Sequence, residues 1–317
     1  MSKGLSCSDQ SSSLNEVLIG TAPPIKVYVL IECNVPWASE AFETAAIPER
    51  LRRLVESNRK FAEFLLISNE GTKRKDVRSL YLYVRSDNSG LSGRFDLHKL
   101  ECVSYEEVCD VLESYFLCKK LPVDRSLEDV QNILICTHGA FDQCCGKYGK
   151  PFYTKSKLIL ESLPTTGQVD LWQSSHFGGH RFAPTMLNFP DGRYYGKLSE
   201  DALVSIINRT GDIKKIMPSY RGWAILPKIA QIVEKQLFLN IGWQWLDVSV
   251  SSQVSLIADT QSYNVEIVYK LGGDVGICHA RVSKNCSEAL EMKIRCQNQV
   301  ETVVPQFSLD SFELLEN

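Results

Sequence analysis

The chain has 317 residues, of which 44% are hydrophobic and 23% charged, and its formal net charge is −3. This length allows two domains and a small third, and the composition is that of a globular protein with a sizeable core. The lack of a basic excess argues against nucleic-acid binding, and no apolar run reaches the ~18–20 residues of a membrane span. The Ser-rich N-terminus lacks the apolar core of a secretory signal, so residues 1–19 are expected to form a flexible tail.

Residues 20–125 form the first predicted unit, in which strands alternate with helices. Strands are expected at three apolar segments, Ile25–Cys33, 61–68 and 79–85. Helices are expected at two amphipathic segments, Ile47–Phe61 and Ser104–Phe116. Ser104 is a favourable cap for the second helix, whose first turn is acidic. The pattern predicts an α/β unit, for which a thioredoxin-like fold is one interpretation.

Residues 126–240 form the second predicted unit. The expected order is strand, helix, strand, hairpin and helix, at 131–136, Pro151–Leu163, 167–175, 184–198 (turned at Asp191–Gly192) and Ser199–Thr210. This is the order of a thioredoxin-like fold. A further helix is expected at 221–243.

Residues 241–317 contain several runs rich in Val, Ile and Tyr, with turns at 272–274 and 298–299. They predict a small antiparallel β-rich appendage. The overall fold class is therefore α/β, with this appendage at the C-terminus.

The two α/β units open alike, because each begins with a buried strand that ends at a cysteine, Cys33 or Cys136. The similarity stops at the following residues: Phe42 stands nine places after Cys33, whereas Cys145 stands nine places after Cys136. An ancient duplication and coincidence both remain open as explanations.

Two loops of the second unit carry cysteines and histidines, residue types that often bind metals. Cys136 opens the stretch "CTHGAFDQCCG", and the next strand leads into "HFGGH", which holds His176 and His180. Because consecutive parallel strands present their C-terminal ends at one edge of a sheet, the two loops are expected to meet. Gly178 and Gly179 would weaken a helix and are better suited to a loop that approaches a bulky ligand.

Two cysteines and two histidines fit either a structural zinc ion or a [2Fe–2S] cluster with thiolates on one iron and imidazoles on the other. Eight residues separate Cys136 from Cys145, and seven separate it from Cys144. Zinc sites usually place paired cysteines two to four residues apart, so the wider loop favours the cluster. The choice between Cys144 and Cys145 as the ligand stays open.

The stretches "CTHGAFDQCCGKYGKPFY" and "SSHFGGHRFAPTMLNFPDGRYYGKL" resemble the sucrase/ferredoxin-like proteins, and the resemblance extends over about residues 20–240. It implies a thioredoxin-like ferredoxin domain whose [2Fe–2S] cluster is held by Cys136, Cys145, His176 and His180. The residues expected around these ligands are Thr137, His138, Cys144, Gly178, Gly179 and Arg181. Arg181 is expected either to offset the negative charge of the cluster or to pair with a carboxylate.

Eleven cysteines without an export signal indicate a reducing, cytoplasmic setting. Eight of them show no ligand spacing and are expected to be small hydrophobic residues: Cys7, Cys33, Cys102, Cys109, Cys118, Cys278, Cys286 and Cys296.

The expected function is that of a one-electron carrier or redox sensor, an electron-transfer protein more than an enzyme. Three alternatives remain: a thiol–disulfide redox enzyme, a zinc-stapled binding module, and an enzyme whose cluster serves a reaction in the first unit. No flavin or nicotinamide fingerprint is present, so an external reductase and an external electron acceptor are the expected partners, with no nucleic acid and no membrane. The sequence does not indicate the oligomeric state.

Overall fold

The computed structural model describes residues 5–69, 77–87, 90–120, 130–163, 169–297 and 300–315. The first two residues of the strand expected at 167–175 and the turn expected at 298–299 lie outside these ranges.

The N-terminal segment begins with helix α1 (Cys7–Ser13), which Ser6 caps by accepting a hydrogen bond from the backbone N–H of Asp9. Residues 5–19, expected to be part of a flexible tail, instead pack against the body of the protein. The small serine and cysteine side chains of α1 allow this close approach, and Ser8 donates a hydrogen bond to the carbonyl of Ala183.

The first half supplies four strands and two helices: β1 (Val27–Glu32), α2 (Glu49–Asn58), β2 (Glu63–Ser68), β3 (Arg78–Arg85), β4 (Phe95–Cys102) and α3 (Tyr105–Cys118). The predicted strands and helices of this half are confirmed, including the Ser104 cap of α3. Strand β4 was not predicted. Its charged and polar residues, among them His98 and Lys99, obscure the alternation of a half-buried strand.

The second half supplies β5 (Gln131–Cys136), α4 (Lys150–Ser162), β6 (Val169–Ser174), β7 (Met186–Phe189), β8 (Arg193–Tyr195) and α5 (Glu200–Asn208), followed by β9 (Tyr220–Trp223) and α6 (Lys228–Ile241). The helix expected at 221–243 begins only at Lys228. Residues 220–223 pair with β8 as a strand instead, and Pro227 caps the helix that follows.

The described strands of both halves form one nine-stranded sheet, in the order β4-β3-β1-β2-β6-β5-β7-β8-β9. In the first half, β1 pairs parallel with β2 and antiparallel with β3, and β3 pairs with β4. In the second half, β5 pairs parallel with β6 and antiparallel with β7, and β7 pairs with β8. Strands β2 and β6 pair antiparallel and join the halves. The two halves therefore share one strand order, that of a thioredoxin-like unit.

Alternate residues of β1 face two separate cores, because successive side chains of a strand point to opposite faces of the sheet. Tyr28 and Leu30 belong to the larger core, which also contains the second half. Val29 and Ile31 belong to a smaller core beneath α2 and α3. The sheet is thus covered on both faces, as expected for buried parallel strands.

The C-terminal region forms a second, four-stranded antiparallel sheet of β10 (Ser249–Leu256), β11 (Ser262–Leu271), β12 (Asp274–Met292) and β13 (Thr302–Leu315). This confirms the predicted β-rich appendage. Its inner side chains, such as Val265 and Val282, share the larger core with Val233 of α6. None of the helices in the described part of the chain has the length and apolar character needed to cross a membrane.

A buried ion pair connects the large sheet to α6. Arg193 of β8 donates to Glu234 of α6 at 2.7 Å, and both side chains are fully buried. The same Glu234 oxygen accepts hydrogen bonds from the Tyr220 hydroxyl and the Trp245 indole. Removing one member of such a network leaves a buried charge without compensation.

We expect Glu234→Ala to lower the free energy of unfolding by ~3–5 kcal/mol, because it leaves the Arg193 guanidinium buried and unpaired. Urea denaturation measures the change. The matched control is Asp247→Ala, which breaks the exposed pair with Arg209 and should lower stability by less than ~1 kcal/mol. Equal effects of the two substitutions would contradict a central role for the buried pair.

Candidate metal centre

Parallel pairing of β5 and β6 places the two predicted loops at the same edge of the sheet. Cys136, the last residue of β5, lies opposite Ser174, the last residue of β6. The backbone of β6 is held in turn by β2, because the N–H of Ser175 donates to the carbonyl of Leu66 at 2.8 Å. The loop that carries His176 therefore starts directly beside the loop that Cys136 opens.

Three of the four expected ligands come together there. The Nδ1 atom of His176 lies 3.8 Å from Sγ of Cys136 and 3.6 Å from Sγ of Cys145. The three donor atoms all lie within 4.8 Å of one another. Both cysteines are buried, whereas His176 is partly exposed, so the sulfur side of the site faces the core and the imidazole side faces solvent.

The two thiols of this group are electrostatically unequal. Burial acts to raise the pKa of Cys136, but hydrogen bonds from Cys145 and His176 outweigh it and hold that pKa well below its usual value. The hydrogen bond to Cys136, together with burial, raises the pKa of Cys145. The lowered pKa of Cys136 favours the thiolate, the form in which a cysteine binds a metal.

The neighbouring Cys144 points away from this group and into a second one. Its Sγ lies 3.4 Å from Sγ of Cys7 and 3.3 Å from Sγ of Cys296, and the last two sulfurs are 3.3 Å apart. We call these three residues the three-thiol cluster. A hydrogen bond from Cys7 lowers the pKa of Cys144 to about 6 although burial opposes the shift.

Sequence reasoning missed Cys7 and Cys296 as members of this cluster and treated them as ordinary small hydrophobic residues. They lie 137 and 152 positions from Cys144, so no spacing pattern could have connected them. Two of the other cysteines agree with the expectation, since burial raises the pKa of both Cys33 and Cys278.

The fourth expected ligand, His180, lies between the two groups. Its ring centroid is 5.2 Å from that of His176, while its Nδ1 atom is 3.3 Å from Sγ of Cys7 and 3.4 Å from Oδ2 of Asp142. Burial lowers the pKa of His180 to about 4, so the ring is neutral at neutral pH. Because Nδ1 faces Cys7 and Asp142, Nε2 is the nitrogen of His180 that would bind a metal.

The first loop is held by close backbone packing. A Cβ atom on Gly149 would lie 2.0 Å from the carbonyl oxygen of Cys136, and Gly139 and Gly146 approach each other so closely that a Cβ on either would crowd the other. His138, buried and with its pKa lowered by burial, donates from Nε2 to the carbonyl of Ala38 at 2.7 Å. These contacts fix the loop to the first half of the protein.

Two further side chains hold this loop in shape. The Thr137 hydroxyl donates to the Gln173 side chain at 3.1 Å, which ties the start of the loop to β6. Asp142 accepts a hydrogen bond from the backbone N–H of Cys144 at 2.9 Å. The loop therefore presents Cys144 and Cys145 on a backbone that is fixed on both sides.

The second loop is held by a buried arginine. Arg221 donates to the carbonyl of Gly178 and, through two other nitrogens, to the hydroxyl and carbonyl of Thr21. Gly178 and Gly179 both have positive φ, and a Cβ on Gly179 would lie 2.6 Å from the guanidinium. Arg181 pairs with the buried Glu16 at 2.8 Å, so it fulfils the carboxylate-pairing alternative.

A cleft of about 390 Å³ opens beside His176. Phe141 stacks on the His176 ring with a centroid separation of 4.2 Å and an angle of 18°, which fixes the orientation of the imidazole. The cleft is also lined by two acidic side chains, Glu40 and Glu63, and by two basic ones, Arg59 and Arg295. The imidazole side of the site is therefore reachable from outside through a polar mouth.

The donor set fits a metal group with both sulfur and nitrogen ligands. Two thiols converge with the His176 imidazole, and the His180 ring lies 5.2 Å from that of His176. The set lacks the two-residue cysteine spacing of a zinc knuckle. The distances of 3.8 and 3.6 Å from His176 Nδ1 to the sulfurs of Cys136 and Cys145 also suit three ligands of a single ion. The geometry therefore permits zinc as well as a mixed-ligand [2Fe–2S] cluster.

Comparison with known proteins identifies the family. A model described as Sucrase/ferredoxin-like matches residues 18–222, more than half of the chain and a range that includes both loops. The chain therefore belongs to the sucrase/ferredoxin-like family.

The chain is also similar to the altered inheritance of mitochondria protein 32 of Meyerozyma guilliermondii. The two are 30% identical over 97 residues, which is 29% of this chain and 34% of that protein. The match thus spans about a third of the relative's length. No solved structure matches the chain.

We expect Gly149→Ala to lower the free energy of unfolding by ~1–3 kcal/mol, because its Cβ would push the backbone of Cys136 out of place. It should also reduce the metal content of the purified protein. The control is Gly273→Ala in an open hairpin turn, where a Cβ meets nothing within 4 Å. Chemical denaturation and metal analysis of both variants test this, and a stable, fully loaded Gly149→Ala protein would contradict it.

Proposed function

We propose that this protein is a one-electron carrier or redox sensor whose [2Fe–2S] cluster is held by Cys136, Cys145, His176 and His180. The observation that carries the proposal is the convergence of Cys136, Cys145 and His176 within 4.8 Å at the ends of two parallel strands. These residues lie in the stretch matched by the sucrase/ferredoxin-like family. When bound, such a cluster supplies a reversible one-electron couple.

The protein would stabilise the sulfur side of the site by excluding water from it. Cys136 and Cys145 are each about 1% exposed. In this low-dielectric setting the backbone and side-chain donors of the loop act strongly on the thiolates. The burial also argues against the thiol–disulfide alternative, because a disulfide substrate needs access to the attacking sulfur.

The partner would dock at the imidazole side. His176 is the partly exposed member of the proposed ligand set and lines the cleft, and Phe141 fixes its ring. Side chains of both charges around the mouth suit recognition of a protein surface by complementary charges. An external reductase and an external acceptor are accordingly the proposed partners.

None of the eleven cysteines forms a disulfide, although the three-thiol cluster places three of them within 3.4 Å of one another. Disulfides are rare in a reducing compartment. This supports the proposal of a cytoplasmic location.

The test is metal and sulfide analysis of protein purified without oxygen. We expect about two irons and two acid-labile sulfides per chain, with visible absorbance that is bleached by reduction. Cys136→Ser and Cys145→Ser should lose the iron and the colour, because each removes a thiolate ligand. The matched control is Cys33→Ser, which changes the equivalent cysteine of the first half and should keep both.

Two results would count against the cluster. Folded wild-type protein with no iron would exclude it, and one zinc that is lost with Cys136→Ser would favour the zinc-stapled alternative.

Mixed ligation also predicts the redox potential. Neutral imidazoles replace two anionic thiolates, so we expect a midpoint potential in the range of about −150 to +300 mV. Redox titration followed by visible absorbance measures it. A value near about −400 mV, typical of four thiolate ligands, would contradict histidine ligation.

A further inference from the structure

The three-thiol cluster is not explained by the proposed cluster site. Cys7, Cys144 and Cys296 form a triangle with Sγ–Sγ distances of 3.4, 3.3 and 3.3 Å. Cys7 and Cys144 are buried and Cys296 is partly buried. The three residues come from α1, from the first loop and from the turn after β12, so the fold assembles them from three distant parts of the chain.

The spacing fits thiolates around one metal ion. Two sulfurs bound tetrahedrally to zinc at ~2.3 Å lie about 3.8 Å apart. A disulfide would bring two of the sulfurs to ~2.05 Å and leave the third without a partner. The three sides of the triangle are nearly equal at 3.3–3.4 Å, so the sulfurs need to move apart by only about 0.4–0.5 Å to surround a shared central ion.

A fourth ligand is present at the same place. The carboxylate of Asp142 has an oxygen within the group, since the donor atoms of all four residues lie within 4.8 Å of one another. Its side chain is buried and oriented by two backbone N–H groups, those of Cys144 at 2.9 Å and Cys296 at 3.2 Å. A buried carboxylate beside three thiols is an arrangement that a divalent cation stabilises.

Backbone donors also reach a sulfur. The N–H of Cys7 donates to Sγ of Cys296 at 3.4 Å. Metal-bound thiolates are commonly supported by such outer contacts, which orient them and disperse their charge.

We propose that Cys7, Cys144 and Cys296, together with the Asp142 carboxylate, bind one structural zinc ion. The metal replaces the thiol protons, which pass to solvent, so binding needs no oxidant or reductant. The four protein ligands close the coordination sphere, as expected of a structural and not a catalytic zinc site.

The ion would fasten α1 and the turn after β12 to the loop that carries Cys144 and Cys145. The contact between α1 and the turn after β12 already includes a hydrogen bond from the backbone N–H of Lys293 to the Gln10 side chain. Cys144 and Cys145 are adjacent in the first loop. Zinc bound to Cys144 would therefore hold that loop in the position in which Cys145 lies beside Cys136. The inference does not depend on the proposed function, because the two sites use different cysteines.

The experiment counts zinc and iron separately in full-length protein purified without oxygen and with zinc in the medium. We expect about one zinc per chain in the wild type and less than about 0.2 in Cys7→Ser and in Cys296→Ser. Cys286→Ser is the matched control, since it changes an exposed cysteine of β12 outside the cluster and should keep its zinc. Cys136→Ser should also keep it, which separates this ion from any metal at the other site.

Cobalt(II) provides a second readout that does not depend on purification history. After chelation of the zinc, the wild type and Cys286→Ser should bind one cobalt ion with the visible bands of tetrahedral thiolate ligation. Cys296→Ser should lose those bands while circular dichroism shows that it remains folded.

Three results would overturn the inference: wild-type protein without zinc, zinc retained by both Cys7→Ser and Cys296→Ser, or a Cys7–Cys144 or Cys144–Cys296 disulfide in the protein as purified. Loss of zinc with iron unchanged would support it and leave the proposed function intact. Zinc present without iron would support it and refute the proposed function.

Discussion

Parallel pairing between β5 and β6 is the constraint on which the candidate metal centre depends. Cys136 and His176 are far apart in the sequence, and they meet because both strands end at the same edge of the sheet, with Cys136 opposite Ser174. The antiparallel contact between β2 and β6 fixes that edge from the other side. Close packing of Gly149 on Cys136 and the Arg221 hydrogen bond to Gly178 then leave each loop little freedom.

The two halves show how one topology carries different chemistry. Both have the same strand order, and both place a cysteine at the end of the first strand, since Cys136 is the last residue of β5 and Cys33 directly follows β1, which fits the duplication hypothesis. In the first half, Cys33 lies in an apolar core with Trp37 and Phe42, and burial raises its pKa. Among the described residues, nitrogen and sulfur donors gather around Cys136 and not around Cys33, so the function belongs to the loops and not to the fold.

Local patterns predicted most of the large sheet, and the cysteine and histidine motifs predicted where its two loops meet. Strand β9 was mistaken for the start of a helix, because the four residues Tyr220–Trp223 are too few to show an alternating pattern and their pairing with β8 leaves no local signal. The three-thiol cluster was missed for a related reason. Cys7 and Cys296 meet Cys144 only through the docking of α1 and the long β12, and long-range docking leaves no local signal.

The central claim is that two thiolates and two imidazoles hold one reducible dinuclear iron centre. Pulsed electron paramagnetic resonance of the reduced protein, with histidine labelled with ¹⁵N, tests this directly. The account predicts strong hyperfine couplings from two histidine nitrogens, one of which disappears in His176→Ala or His180→Ala. A reduced signal without strongly coupled histidine nitrogen, or no paramagnetic signal at all, would contradict it.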